Sequence, residues 1–140
     1  MKIMKSSFAI MFVVLALSAC KTQSSENPST ELAISEDIQV YYFHNTARCA
    51  TCNAVEDETR VALDMFYADE MKAGEMDFTS LNLQEDEGKK MAQTLNVSGQ
   101  TLLIVKGDKQ INLTNEGFMN ARTHPTKFHE IIKAQIDQLL

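Results

Sequence analysis

The chain has 140 residues, room for one domain and a leader. Hydrophobic residues make up 44% and charged residues 23%, so a packed core is feasible and the composition is not that of a disordered chain. The formal net charge is −6, and taking away Lys2 and Lys5 of the acid-free first nineteen residues leaves 11 basic groups against 19 acidic ones, net −8. That balance excludes a basic footprint for phosphate backbones, and no nucleic acid is expected as a partner.

Residues 1–19 read as a signal peptide. Lys2 and Lys5 precede the apolar run Phe8 to Leu17 (FAIMFVVLAL), which falls short of the about 20 apolar residues a spanning helix needs. Leu17-Ser18-Ala19-Cys20 resembles the lipobox of bacterial lipoproteins: a Leu, two small residues and a Cys. The resemblance implies cleavage before Cys20 and lipid on the new N-terminal cysteine, hence an exported lipoprotein held to a membrane. Lys21 follows, rather than the Asp that resembles an inner-membrane retention signal, which points to the outer membrane facing the periplasm. Residues 20–37 (CKTQSSENPSTELAISED) are then the lipidated end and a flexible tether, too polar to offset their ordering entropy by burial. The domain is expected over 38–140.

Three cysteines are present. With Cys20 lipidated, Cys49 and Cys52 are the remaining thiols, and no further cysteine exists for a long-range staple. So short a loop gains little by constraining the unfolded chain. The pair is suited to thiol–disulfide exchange or to a soft metal, with a static turn disulfide as the bland alternative.

Ile38 to His44 (IQVYYFH) is β-branched and aromatic and reads as a strand buried on at least one face. Asn45 to Arg48 is a polar turn with Cys49 at its end. Thr51 to Ala73 lacks Pro and Gly; Val55, Ala62, Leu63 and Phe66 recur at helical spacing with Thr59 in the gap, and Gly74 is a stop. Glu75 to Leu83 reads as a second strand with an irregularity. Glu85 to Leu95 reads as a short helix, acidic at its start, with Met91, Ala92 and Leu95 inward and Gly88 against it. Thr101 to Val105 (TLLIV) is a central strand, and a Gly107-Asp108 turn returns Lys109 to Leu113 as a hairpin. A last amphipathic helix opens at Pro125, with its stripe through Phe128, Ile131, Ile132, Ile136, Leu139 and Leu140. The acids Glu56, Asp57 and Glu58 read as a solvated helix face. Five methionines beyond the leader are scattered and read as packing residues, and His124 and His129 read as cap or surface groups.

The order β-α-β-α-β-β-α is an α/β mixed sheet with helices on both faces. This order, with Cys49-Ala50-Thr51-Cys52 between the first strand and first helix, the block Ser80 to Lys109 and the later Gly117, resembles the thioredoxin fold. The resemblance implies a redox-active disulfide, Cys49–Cys52, as the working group with no other cofactor, and a protein thiol or disulfide as partner. Three positions depart from it. Where the family carries a cis-proline before the central strand this chain has Gln100; a non-proline cis bond costs about 2.5–4 kcal/mol, so a trans bond is expected. In the family that proline shapes substrate docking and discourages metal capture by the dithiol, so at Gln100 the resemblance leaves both properties open. Arg48 holds the place of the family's Trp. The buried Asp that assists the inner cysteine falls at Phe43, leaving His44 as the nearest titratable group, either a substitute base or a structural residue. The stretch F-H-x-T-x-R-C-x-T-C, Phe43 to Cys52, is also similar to the ArsF-type family of nitrophenyl-compound nitroreductase subunits.

At a helix N-terminus the unpaired N–H groups favour a thiolate, and Arg48 adds a cation, so Cys49 is expected to be the nucleophile with a lowered pKa. Cys52, one turn inward, would resolve the mixed disulfide. The function expected is thiol–disulfide exchange with a periplasmic partner. The alternatives are a dithiol carrier for a soft metal or arsenite, with His44 as a third ligand, and an electron-transfer subunit of a reductase. No metal ligand set is assigned.

Overall fold

A computed structural model of the chain describes residues 36–140. The expected signal peptide, Cys20 and the tether as far as residue 35 lie outside the described residues. The elements, in order, are β1 (Ile38–His44), α1 (Ala50–Phe66), α2 (Ala68–Ala73), β2 (Met76–Asn82), α3 (Asp86–Thr94), β3 (Thr101–Lys106), β4 (Lys109–Asn112), α4 (Thr114–Asn120) and α5 (Pro125–Ile136).

The strands form one sheet in the order β2-β1-β3-β4. β1 and β2 are parallel from Ile38 opposite Met76 to His44 opposite Asn82, with no irregularity in β2. β3 runs antiparallel to β1, with Leu102 opposite Tyr42, and β4 pairs back on β3. The parallel pair needs a crossover, which α1 and α2 supply, while the hairpin needs only a tight turn. The result is the expected α/β thioredoxin-like arrangement, with α1 leaving the carboxyl end of the central strand β1.

Alternation along β1 divides the core. Ile38, Val40 and Tyr42 face one side, where they pack with Val55, Leu63, Phe128, Ile132 and Ile136 from α1 and α5. Phe43 faces the other side, with Leu81, Ala92, Leu95, Leu103 and Val105. Phe128 and Ile136 are fully buried, each such side chain contributing roughly 1.5–3 kcal/mol. Thr59, in the apolar stripe of α1, is equally buried and satisfies its hydroxyl on the Val55 carbonyl at 2.6 Å.

Besides the regular β2, four details differ from the pattern read along the sequence. The helix expected over 51–73 breaks at Tyr67, whose backbone leaves the helical region (φ −135°, ψ 26°). Its ring turns inward, and its hydroxyl lies 2.7 Å from Asp137 Oδ1 and 3.0 Å from the Lys133 carbonyl, tying α1 to the end of α5. Gly117 does follow the last strand, but it sits inside helix α4, an element not read from the sequence, where an added Cβ would lie 3.2 Å from Val55 Cγ1 and 3.3 Å from Phe128 Cζ. Gly88 does not weaken α3 by accident: an added Cβ would collide with the Asn82 carbonyl, so only glycine lets the first turn of α3 rest on the end of β2. Finally, α5 ends at Ile136, and Leu140, expected on its stripe, is exposed.

Candidate redox site

The polypeptide leaves β1 at His44 and enters α1 at Ala50, so residues 45–49 form the turn that carries the first cysteine. That turn is pinned to the segment after β2. Asn82 Nδ2 donates to Thr46 Oγ1 at 2.9 Å, the Thr46 N–H donates to Gln84 Oε1 at 3.0 Å, and the Leu83 N–H donates to the His44 carbonyl at 2.8 Å.

Cys49 is the N-cap of α1, in extended conformation (φ −83°, ψ 163°). Its sulfur accepts the Cys52 N–H at 3.1 Å, taking one of the donors that a helix start leaves unpaired. Cys49 and Cys52 form a disulfide across Cα atoms 5.0 Å apart. Cys49 is exposed, whereas Cys52 is 4% exposed and on the inner stripe of α1. The asymmetry assigns one sulfur to solvent and one to the protein.

Beneath Cys52 lies Tyr42, not Phe43. The Tyr42 hydroxyl donates to the Cys52 carbonyl at 3.0 Å, and burial is the main influence holding its pKa above the ordinary tyrosine value. Phe43 points to the opposite face, among Leu81, Ala92 and Leu95, because neighbouring side chains in a strand alternate. It therefore does not occupy the position of a group acting on the inner cysteine. His44, on the Tyr42 side, has its ring centroid 5.9 Å from that of Tyr42. Its Nδ1 lies 3.0 Å from the Asn45 carbonyl.

Arg48 does not extend into solvent. Its Nη2 lies 2.5 Å from Glu56 Oε2 and makes a long contact, 3.5 Å, with the Cys52 carbonyl, while its guanidinium sits 5.5 Å from the centre of the Tyr42 ring. Glu56 is thus not part of a solvated acidic face: its side chain is 13% exposed, and its other oxygen accepts from Arg60 Nη2 at 3.0 Å. Burial alone would push the Glu56 carboxyl up, but hydrogen bonds from Arg60 and Arg48 and the Arg48 charge outweigh it and hold the carboxyl below its ordinary value. Arg60 in turn lies 4.3 Å above the Phe78 ring. Of the three consecutive acids only Asp57 is exposed; Glu58 Oε2 lies 2.6 Å from Nε2 of His129, which is buried rather than a surface group.

Gln100 lies in the turn before β3, half-buried and with a trans peptide bond, as expected for a non-proline residue. Asn45, Leu83, Lys89, Gln93, Val97 and Gly99 line a shallow groove of about 460 Å³ on the α3 side of the cysteine turn. Among the described residues no three His, Cys, Asp or Glu side chains converge as a metal site. No helix of the described residues is long and apolar enough to cross a membrane. Two site residues escape a reading of the sequence: Tyr42, which the two-residue period of β1 places on the face of Val40, and Glu56, which follows Cys52 by one helical turn.

No family model matches the chain, and neither does any curated protein. Solved structures similar to it include thioredoxin from Fasciola hepatica, 17% identical over 71% of this chain and 82% of that one, with a TM-score of 0.42. Thioredoxin O2 from Arabidopsis thaliana in its oxidized state is 22% identical over 54% of this chain and 60% of its own, with a TM-score of 0.42. A malarial protein is 16% identical over 53% of this chain and 74% of its own, with a TM-score of 0.39.

Proposed function

We propose that the chain is a thiol–disulfide oxidoreductase, exported and anchored to a membrane by lipid on Cys20, that exchanges electrons with a protein partner in the periplasm. The single observation that carries the redox reading is the placement of the pair: an exposed Cys49 capping α1, bonded to a buried Cys52 one turn further in. A sulfur that already accepts the Cys52 N–H in the disulfide can accept the same donor as a thiolate, which favours the anion.

In the reducing direction the Cys49 thiolate attacks one sulfur of a partner disulfide. A Cys49–partner bond forms, the partner's sulfur–sulfur bond breaks, and the second partner sulfur leaves as a thiolate that takes up a proton. The Cys52 thiol, deprotonated, attacks Cys49, and the first partner sulfur leaves and is protonated. The pair loses two electrons and two protons, the partner gains both, and the oxidising direction is the reverse.

Wild-type protein equilibrated with glutathione should show one reversible dithiol–disulfide couple. Cys52→Ala should trap mixed disulfides, while Cys49→Ala should trap none and abolish reduction of a generic protein disulfide. A wild-type pair that fails to cycle, or trapping that persists in Cys49→Ala, overturns the reading. The lipid anchor is tested by detergent-phase partition of full-length protein, which Cys20→Ala should abolish.

The trans bond at Gln100, where the resemblance would have a cis-proline, favours a second reading, a dithiol carrier for a soft metal or arsenite. Tight arsenite uptake that needs both cysteines, without turnover of a protein disulfide, would replace the first reading by the second.

A further inference from the structure

The sequence places a cation directly before the first cysteine, where it would lower the thiol's pKa unopposed. The structure opposes it. Arg48 precedes Cys49 by one residue, and Glu56 follows Cys52 by one helical turn, so their ion pair closes a bracket around the two cysteines. The bracket is anchored at both ends. Arg48 Nη2 reaches the Cys52 carbonyl at 3.5 Å, where the Tyr42 hydroxyl already donates at 3.0 Å, and Arg60 holds the other oxygen of Glu56 at 3.0 Å. The groups facing the carboxylate are Arg48 from the turn, Arg60 from α1, Tyr42 from β1 and Ser80 from β2. Arg48 Nε, Glu56 Oε2 and Ser80 Oγ are all buried without a hydrogen-bond partner of good geometry, so water screens this cluster poorly.

We propose that Glu56 is a positioning residue that sets the redox poise of the Cys49–Cys52 pair by holding and neutralising Arg48. The inference rests on the reading of the pair as a thiol–disulfide site. With the carboxylate in place, the guanidinium is committed to Glu56 and its field at Cys49 is largely cancelled. The Cys49 thiolate then depends on the helix N-terminus alone, and the dithiol is a stronger reductant than the neighbouring arginine would predict. Removing the carboxylate frees the arginine charge, stabilises the thiolate and with it the reduced form, and makes the pair a stronger oxidant.

The experiment uses the full-length protein with both cysteines of the pair, and begins with the wild-type potential against glutathione. Absence of a reversible couple in the wild type defeats the functional reading itself, independently of any result with the variants. In Glu56→Gln, we expect the equilibrium with glutathione to move about tenfold toward the reduced protein, close to 30 mV for this two-electron couple. Alkylation of Cys49 at mildly acidic pH should rise about threefold or more, since the thiolate is the reacting species. Arg48→Gln should move both readouts the opposite way; Arg60 still pairs with Glu56 in that variant, which keeps the fold. Arg48→Lys, keeping the charge, should recover most of the wild-type alkylation profile. In the Arg48→Gln background, Glu56→Gln should lose at least half of its effect on both. The proposal is overturned if Glu56→Gln leaves potential and alkylation profile unchanged, shifts them the other way, or keeps its full effect without Arg48.

Discussion

Three helices, α1, α4 and α5, cover one face of the sheet, and α3 covers the other. Among the described residues the first face buries a cluster of seventeen, from Ile38 and Val40 to Ile136 and Leu139, and the second a cluster of six around Phe43 and Leu81. The redox turn stands between them. Its helix, α1, is rooted in the large cluster through Val55, Ala62 and Leu63, whereas the segment that pins Thr46 from outside, Asn82 to Gln84, belongs to the thin side. The inner cysteine is thus held by the bulk of the protein, while the turn leading to the outer one leans at Thr46 on a lightly packed edge, where local opening is cheapest.

The largest expected effect tests that division directly. Phe128 is fully buried in α5 against Gly117 and the α1 side of the core. Phe128→Ala should cost about 3–5 kcal/mol, the range for truncating a buried aromatic. Leu95→Ala, on the α3 face, should cost about 2–3 kcal/mol, because a small cluster at an edge relaxes more fully around the gap. Urea denaturation of both variants decides it, and equal losses would erase the distinction between the faces.

Gly88 gives the next effect. Helix propensity alone would make Gly88→Ala stabilising by about 1 kcal/mol. The collision of the new methyl with the Asn82 carbonyl, a backbone atom that cannot swing aside, reverses the sign, and we expect a net loss of about 1–3 kcal/mol. Asn82 also holds Thr46, so alkylation of Cys49 should become more variable with temperature in this variant, while a variant more stable than wild type would show that α3 does not rest on β2.

Glu56 ranks third. Its ion pair lies between an exposed and a buried one, and Glu56→Gln should cost about 1–2 kcal/mol at neutral pH. The carboxyl's pKa is lower in the folded than in the unfolded protein, so its contribution is complete above the ordinary carboxylate range and is lost as pH falls through the lowered value. Wild type and Glu56→Gln should therefore differ most near neutrality and converge below about pH 4, with the variant's profile the flatter. A difference that grows on acidification would reverse the sign of this contribution.

Much of the fold was legible from residue order. The strands, α1, α3, α5 and the place of both cysteines follow from periodicity, turn residues and Pro125, because each of those signals is local. What was not legible depends on partners distant in sequence. Helix α4, with Gly117 and only seven residues, has weak periodicity of its own; it is held at its start by Thr114, whose N–H donates to Asn112 Oδ1 and whose hydroxyl accepts the Leu102 N–H. Tyr67 breaks the first helix because its hydroxyl meets Asp137 seventy residues away. Glu56 was hidden by company: three acids in a row suggest a wet surface, yet positions 52, 56, 59 and 63 share one stripe, and Glu56 is the member whose partners, Arg48 and Arg60, lie within hydrogen-bonding reach on either side.

The smallest effect separates the two acids that company obscured. Glu58 stands two positions after Glu56, but it turns toward α5 and meets His129 Nε2, with side-chain exposures of 28% and 11%. The contact ties α1 to α5, away from Arg48 and the cysteine turn. A pair of this exposure is worth about 0.5–1 kcal/mol in a double-mutant cycle of Glu58→Gln and His129→Gln. Its charge is partly exposed to solvent and meets His129 rather than Arg48, so the potential of the pair and the alkylation of Cys49 should stay at their wild-type values in both variants. If Glu58→Gln moved the potential as far as Glu56→Gln, net charge on α1 rather than the contact with Arg48 would be setting the chemistry of Cys49. If only Glu56→Gln moves it, the orientation of one carboxylate toward the sheet is what distinguishes two neighbouring glutamates of the same helix.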